Sequence, residues 1–198
     1  TLTVDRNGAI FLPPVGQLAA AGQSLNAVKS VIKSMLDKRY KKLDLSLTLA
    51  SLRQFPVSVS GYVDNPGTIL AMGVDTVFTV LSRAGGIKKT GSLRSVRFTR
   101  DFHTKIIDFY DMLINGATMD LRIKEGDSIY VPAIGPVVAL AGEIRRPGIY
   151  EMAGPTGFSS ALSLAGGILP SARYSGVTKL TFSEAGRSLS NGDLTDAD

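Results

Sequence analysis

The chain has 198 residues, 44% hydrophobic and 20% charged, a globular balance that excludes a disordered or fibrous polymer. It contains no cysteine, which excludes disulfides, thiolate metal sites and cysteine nucleophiles. The formal charge of +5 suits an anionic partner such as nucleic acid, an acidic glycan or a lipid head group, or simply a solvated surface richer in bases. The longest apolar stretch, residues 133–141, is broken by Gly135 and Pro136 and falls short of the ~20 residues that span a bilayer.

Residues 1–53 have no copy elsewhere in the chain. Leu2 and Val4 alternate with polar residues, and Asn7-Gly8 then precedes Ile10-Phe11-Leu12. Asn-Gly between apolar runs predicts a hairpin turn, since both residues tolerate positive φ. Pro13, Pro14 and Gly16 end the second run. Ser24 is placed to cap a helix whose apolar face is Leu25, Val28, Val31, Ile32, Met35 and Leu36. Leu43, Leu45, Leu47 and Leu49 alternate with Asp44, Ser46 and Thr48, the period of a strand.

From residue 57 the chain repeats itself at a constant offset. Gly61 to Gly67 returns as Gly142 to Gly148, and Leu81 to Ile87 as Leu162 to Ile168, both 81 residues on (142−61, 162−81). Between 57–90 and 138–171, 11 of 34 positions are identical, and all five glycines of the first copy recur. A period longer than the ~20–50 residues of solenoids and propellers points to two tandem small domains.

In the first copy, Val57, Val59 and Val63 mark a strand, Asp64-Asn65-Pro66-Gly67 a turn, and Ile69 and Leu70 the return. Asp75 or Thr76 is placed to cap a short helix bearing Val77, Val80, Leu81 and Ala84, which Gly85-Gly86 stops. Val96 and Phe98 predict a strand, 101–104 a hairpin tip, 106–109 the return, and 110–114 one helical turn ended by Asn115-Gly116. Gly126 to Pro132 closes the copy with a strand, and Ile134, Gly135 and Pro136 form a linker. The second copy repeats the strand, the Pro-Gly turn, the helix and Ala165-Gly166-Gly167. Val177, Leu180 and Phe182 then predict a strand, 183–186 a turn, and Asn191-Gly192 reads as the counterpart of Asn115-Gly116. No counterpart of the strand 127–131 follows, so the second copy is expected to be cut short and the chain to be part of a longer one.

Motifs that could carry chemistry have structural readings beside them. Ala84-Gly85-Gly86 and Ala165-Gly166-Gly167 follow helices, whereas phosphate loops precede them, so they read as C-caps. His103, the single histidine, falls at a predicted hairpin tip, unlike a buried triad member. Asp108 and Asp111 lie three apart at a helix start, where acids complement the helix dipole; acid–base pairing would need one strongly raised pKa. Lys38-Arg39-Tyr40-Lys41-Lys42, the densest basic run, reads either as an anion contact or as a helix C-terminus whose cations face the negative dipole end. These residues assign no catalytic, cofactor-binding or metal site and leave substrate-binding residues unknown; an enzyme acting on polysaccharide would need an acidic pair or a nucleophile.

Taken in order, the motifs resemble a known family. Asp5-x-x-Gly8-x-Ile10-x-Leu12-Pro13-x-x-Gly16, with Ala21-Gly22 ahead of a helix, resembles the later half of the polysaccharide export domain. Gly61-x-Val63-x-x-Pro66-Gly67, Ala84-Gly85-Gly86, Asp108 to Leu113 and Gly126 to Pro132 resemble soluble-ligand-binding β-grasp (SLBB) domains. The implied fold is α+β: the C-terminal part of a polysaccharide export domain at 1–53, a first SLBB β-grasp domain at 57–133, and a second, truncated, at 137–198.

The resemblance implies an outer-membrane polysaccharide export protein of the Wza type, periplasmic for most of its length. Such proteins assemble as homo-oligomeric rings around capsule or exopolysaccharide in transit. They work with an inner-membrane polysaccharide co-polymerase and tyrosine kinase. They are commonly lipid-anchored at an N-terminal cysteine, which this chain lacks, and some have a C-terminal membrane-spanning helix. Membrane contact is thus expected only through segments outside this chain. No nucleic acid, cofactor or catalytic residue is expected. The alternative reading is a monomeric periplasmic module binding a sugar or another soluble ligand.

Overall fold

The computed structural model describes residues 2–13, 15–154, 157–172, 177–183 and 186–192. Two compact units divide at Arg53 and Gln54.

In the first unit, β1 (Ala9–Leu12) pairs antiparallel with β2 (Gly16–Ala19), and α1 (Leu25–Asp37) follows. The Ser24 hydroxyl accepts from the Ala27 amide at 3.2 Å and so satisfies one free N–H of the first turn. Val28, Ile32 and Leu36 of α1 bury against Ile10 and Leu18 of the hairpin. Each such aliphatic contributes about 1.5–3 kcal/mol on burial.

Two strand expectations fail here. The hairpin closes at the Leu12–Gly16 pair, not at Asn7-Gly8, and residues 2–5 form no strand. The Asp5 carboxylate accepts from the Asn7 and Ala9 amides, both at 2.9 Å, and folds that segment into a local turn. Residues 43–49 form no ladder among the described residues. Leu43, Leu45 and Leu47 do half-bury on the α1 cluster while Asp44, Ser46 and Thr48 stay exposed. Period two requires only extended backbone; a strand also requires a hydrogen-bonding neighbour.

The second unit begins with β3 (Gln54–Gly61), β4 (Gly67–Met72) and α2 (Val77–Arg83). β5 (Val96–Arg100), β6 (His103–Ile107), α3 (Tyr110–Asn115) and β7 (Ser128–Val131) follow. The strands form one sheet in the order β4-β3-β7-β5-β6. β7 runs parallel to β3 and antiparallel to β5, so the strand expected to close the copy lies at the sheet's centre. Val57, Val59, Val96, Phe98, Ile129 and Val131 bury beneath the Val77, Val80 and Leu81 face of α2. This mixed sheet with a helix on one face is the expected α+β, β-grasp-like arrangement.

The β5–β6 tip is Asp101-Phe102 alone, with φ of 49° and 64°. Two positive-φ residues are what a two-residue hairpin turn demands. The return strand therefore starts at His103, earlier than expected. Asn115 ends α3 as predicted, with Gly116 in the left-handed C-cap conformation.

The repeated motifs form one contact, made twice. In the first copy the Asp64 amide donates to the Gly86 carbonyl at 3.1 Å, and the Asn65 amide to the Ala84 carbonyl at 2.8 Å. In the second, the Arg145 amide donates to Gly167 and the Arg146 amide to Ala165, both at 3.0 Å. The Pro-Gly turn thus takes up the free carbonyls of the helix end. A Cβ on Gly85 would lie 2.7 Å from Asn65 Nδ2 and 2.8 Å from Asp64 Cβ, so the glycine lets the turn approach.

The second copy comprises β8 (Val137–Leu140), β9 (Gly148–Glu151), α4 (Phe158–Leu164), β10 (Val177–Ser183) and β11 (Gly186–Gly192). β8 pairs with β9, and β10 with β11. Asn191-Gly192 lies in β11, opposite Thr178 and Val177, and is not a helix end like Asn115-Gly116. The predicted turn residues 184–185 and everything after 192 fall outside the described residues. No helix among the described residues is long and apolar enough to cross a membrane.

Candidate functional site

The structure disperses the residues singled out for chemistry. His103 is exposed on β6, with Nδ1 2.8 Å from the Asp101 carbonyl oxygen. Asp108 accepts from the Tyr110 amide at 2.8 Å and from Arg94 Nε at 3.0 Å, while Asp111 accepts from Asn115 Nδ2 at 3.0 Å. Each carboxylate is occupied separately, and they form no acid–base pair. Residues 38–42 follow the end of α1 and are all exposed. Both Ala-Gly-Gly segments are helix ends, as predicted.

Two features that sequence reasoning missed stand out, and the first is the junction between the copies. Glu151, at the end of β9, is 3% exposed and inserts its carboxylate into the first copy. Oε1 accepts from Ser92 Oγ at 2.6 Å and the Gly135 amide at 3.0 Å. Oε2 accepts from the Leu93 amide at 2.8 Å and the Arg94 amide at 3.2 Å. The main chain joins in: the Glu151 amide donates to Tyr110 Oη at 2.6 Å, and Arg94 Nη1 donates to the Glu151 carbonyl at 3.1 Å. Arg94 also lies over the Tyr110 ring at 4.5 Å. A buried carboxylate is tolerable only when its lone pairs are filled, and here the donors come from the first copy and the linker. Burial pushes the Tyr110 phenol above its ordinary pKa; the Glu151 amide opposes this and the Glu151 carboxylate reinforces it.

Two further buried carboxylates are satisfied within the first copy. Asp127 pairs with Arg100 at 2.7 Å and accepts from the Lys124 amide at 2.6 Å. The Asp127 side chain holds the Arg100 guanidinium above its usual pKa against the opposing effect of burial. Asp75 pairs with Arg83 at 2.6 Å and accepts from the Met72 amide at 2.7 Å. Burial alone would raise the Asp75 pKa, but the Met72 amide and Arg83 outweigh it and the net shift is downward.

The second feature is the sheet face opposite α2. Strand register aligns Thr68, Ser58, Ser128, Thr99 and Thr104 in one row across all five strands. Neighbouring strands lie ~4.8 Å apart, so the row offers hydroxyls at that interval across the sheet. The Thr99 and Thr104 hydroxyls are 2.9 Å apart. The adjacent row aligns Ser60, Tyr130, Arg97 and Ile106, with Arg97 over the Tyr130 ring at 5.5 Å. Alternation in each strand did place these residues outward. The pairing of distant strands, which sequence does not disclose, lines them up.

Comparison with known proteins agrees with this architecture. Residues 1–50 match the family model described as Polysaccharide biosynthesis/export protein. Residues 56–131 and 137–178 match models described as SLBB domain. The chain is 28% identical over 146 residues to the polysialic acid transport protein KpsD of Escherichia coli, covering 72% of this chain and 26% of that protein. It is 28% identical over 138 residues to the exopolysaccharide production protein ExoF of Rhizobium meliloti (strain 1021), covering 66% of this chain and 32% of that protein. The chain thus spans about a quarter to a third of the length of the curated relatives it matches. In the order of its matches, an export segment followed by two SLBB domains, the chain is similar to polysaccharide biosynthesis/export proteins along most of its length.

Proposed function

We propose that this chain is a structural part of a channel that exports capsular polysaccharide or exopolysaccharide, on the periplasmic side of the bacterial outer membrane. Copies of the full-length protein assemble as a ring, and the SLBB domains form stacked layers around the polymer. The polymer reaches the ring from an inner-membrane polysaccharide co-polymerase and tyrosine kinase. The chain's role is architectural rather than catalytic, as Asp108 and Asp111 are each engaged in local structure. The observation that carries this reading, beside the family match, is the junction at Glu151. A layer that surrounds a moving polymer must keep its spacing under load, and a buried carboxylate occupied by donors of the neighbouring domain and the linker supplies that rigidity.

The test is deletion of the gene in its native host, followed by quantitation of surface polysaccharide and sedimentation of the full-length protein. Loss of surface polymer with retention inside the envelope, together with a discrete oligomer, is expected. Unchanged surface polymer would refute the reading. The open sheet face favours one competing reading, a monomeric sugar-binding module. A full-length protein that stays monomeric at high concentration and binds a defined oligosaccharide with micromolar affinity would establish that instead.

A further inference from the structure

The sheet face opposite α2 is chemically selective in its charge. The outward positions along the five strands carry hydroxyls, Gln54, Pro56, Leu70, Met72, Ile106, Tyr130 and one cation, Arg97, with no aspartate or glutamate among them. Exposed serines and threonines are ordinary on strands; their alignment in one row, beside an uncompensated guanidinium, is not accounted for by strand preference. Five arginines lie between residues 54 and 136. Four hold aspartates: Arg83 with Asp75, Arg94 with Asp108, Arg100 with Asp127 and Arg122 with Asp120. Arg97 holds none among the described residues. It lies instead on the exposed Tyr130 ring, its fork free to meet a carboxylate.

We propose that this face is the contact surface for an acidic polysaccharide, with Arg97 meeting a sugar carboxylate, Tyr130 stacking on a ring, and the hydroxyl row meeting the sugar hydroxyls. The inference rests on the export reading and assigns that polymer a charge and a face of the fold. Geometry favours a polyhydroxylated chain: the hydroxyl row runs across the strands at an interval comparable to one sugar ring. A rim ion pair in water is worth little, so contact is weak and repeated along the polymer, as passage requires. A neutral glycan would leave Arg97 unpaired. A protein partner would close over the flat face and exclude water from the hydroxyls.

The test uses full-length protein with polygalacturonate as the acidic probe and dextran of matched length as the neutral one, read by frontal affinity chromatography. Retention on polygalacturonate that weakens as salt rises is expected, with none on dextran. Arg97→Gln and Tyr130→Ala should each weaken it about fivefold, and Arg122→Gln should leave it unchanged. Arg97 and Tyr130 are exposed, so unaltered urea midpoints will exclude misfolding. Equal retention on dextran, or wild-type retention by Arg97→Gln, would overturn the proposal. So would an oligomer that Arg97→Gln dissociates, since a second copy would then occupy the face. Expression of each variant in the deletion host separates the two readings. If deletion leaves surface polymer unchanged, the export reading fails. If export requires the gene and Arg97→Gln binds polygalacturonate as wild type does, only the surface assignment fails.

Discussion

Residues 57–90 and 138–171 descend from one pattern and keep the same internal contact, yet they treat their buried charge in opposite ways. In the first copy, Asp75 is satisfied by Arg83 and by its own loop. The corresponding residues 81 positions on are Thr156 and Leu164, so the second copy has no such pair. Its buried carboxylate, Glu151, stands where the first copy has Leu70, which is 58% exposed. Glu151 is satisfied from outside its own copy, by Ser92, Leu93, Arg94 and Gly135. Duplication preserved the turn and cap that make the domain. Divergence at one strand position tied the two copies together.

The comparison breaks most severely at Glu151. Glu151→Leu strands the Ser92 hydroxyl proton and the Leu93 and Gly135 amides, leaves the Arg94 amide only its 3.2 Å bond to Ser92 Oγ, and should cost about 3–5 kcal/mol. Leu70→Glu at the matching exposed position should change stability by under about 0.5 kcal/mol. Urea unfolding of both variants checks this, and equal midpoints would mean that the junction contributes no stability.

Matching glycines give the next largest contrast. A Cβ at Gly61 runs into the Val131 carbonyl of the central strand, whereas nothing lies within 4 Å of a Cβ at Gly142. Gly61→Ala should cost about 2–4 kcal/mol, combining backbone strain with a displaced strand. Gly142→Ala should cost only the positive-φ penalty of about 1 kcal/mol. Comparable urea midpoints for the two variants would show that the copies tolerate the substitution alike.

A smaller effect belongs to Asp75, whose folded pKa lies below its unfolded one. Its stabilisation is complete above the unfolded carboxylate pKa of about 3.9 and is lost as pH falls through the folded value. Asp75→Asn should cost about 1–3 kcal/mol near neutrality and remove that part of the acid sensitivity, as thermal melts between pH 7 and pH 3 would show. An unchanged acid profile would mean that other carboxylates dominate it.

The smallest effect is expected at Tyr110. Tyr110→Phe removes the acceptor of the Glu151 amide and should cost about 1 kcal/mol. Because the folded phenol pKa is raised, its contribution is complete below the unfolded value of about 10 and is lost as pH rises through the folded value. Ultraviolet titration of wild type against Tyr110→Phe should show one late-ionising phenol disappear. A wild-type titration without a late phase would contradict this.

How much was legible varied with the range of each interaction. The Ser24 cap, the Gly116 stop and the Pro-Gly turns were readable because each is decided within a few residues, and of the two cap candidates Asp75 and Thr76 the structure uses Thr76. Asn7-Gly8 misled because the nearby Asp5 carboxylate captured the amides that a hairpin would have used. Leu43 to Leu49 misled because alternation reports an extended, half-buried backbone and not the presence of a neighbour. The candidate surfaces were not legible: Glu151 looked like an ordinary strand-end acid, and Arg97 like any outward base.

By itself the sequence determined the duplication, the α+β composition of each copy, the turn–helix contact and the family resemblance, because periodicity, capping and turn chemistry act over short spans. Only the tertiary structure placed β7 at the centre of the sheet, buried Glu151 in the preceding copy and aligned five hydroxyls beside Arg97. Those outcomes depend on which distant strands exchange hydrogen bonds, and in what register. Many pairings satisfy the same local pattern, and the choice among them is made by simultaneous burial of the whole apolar face.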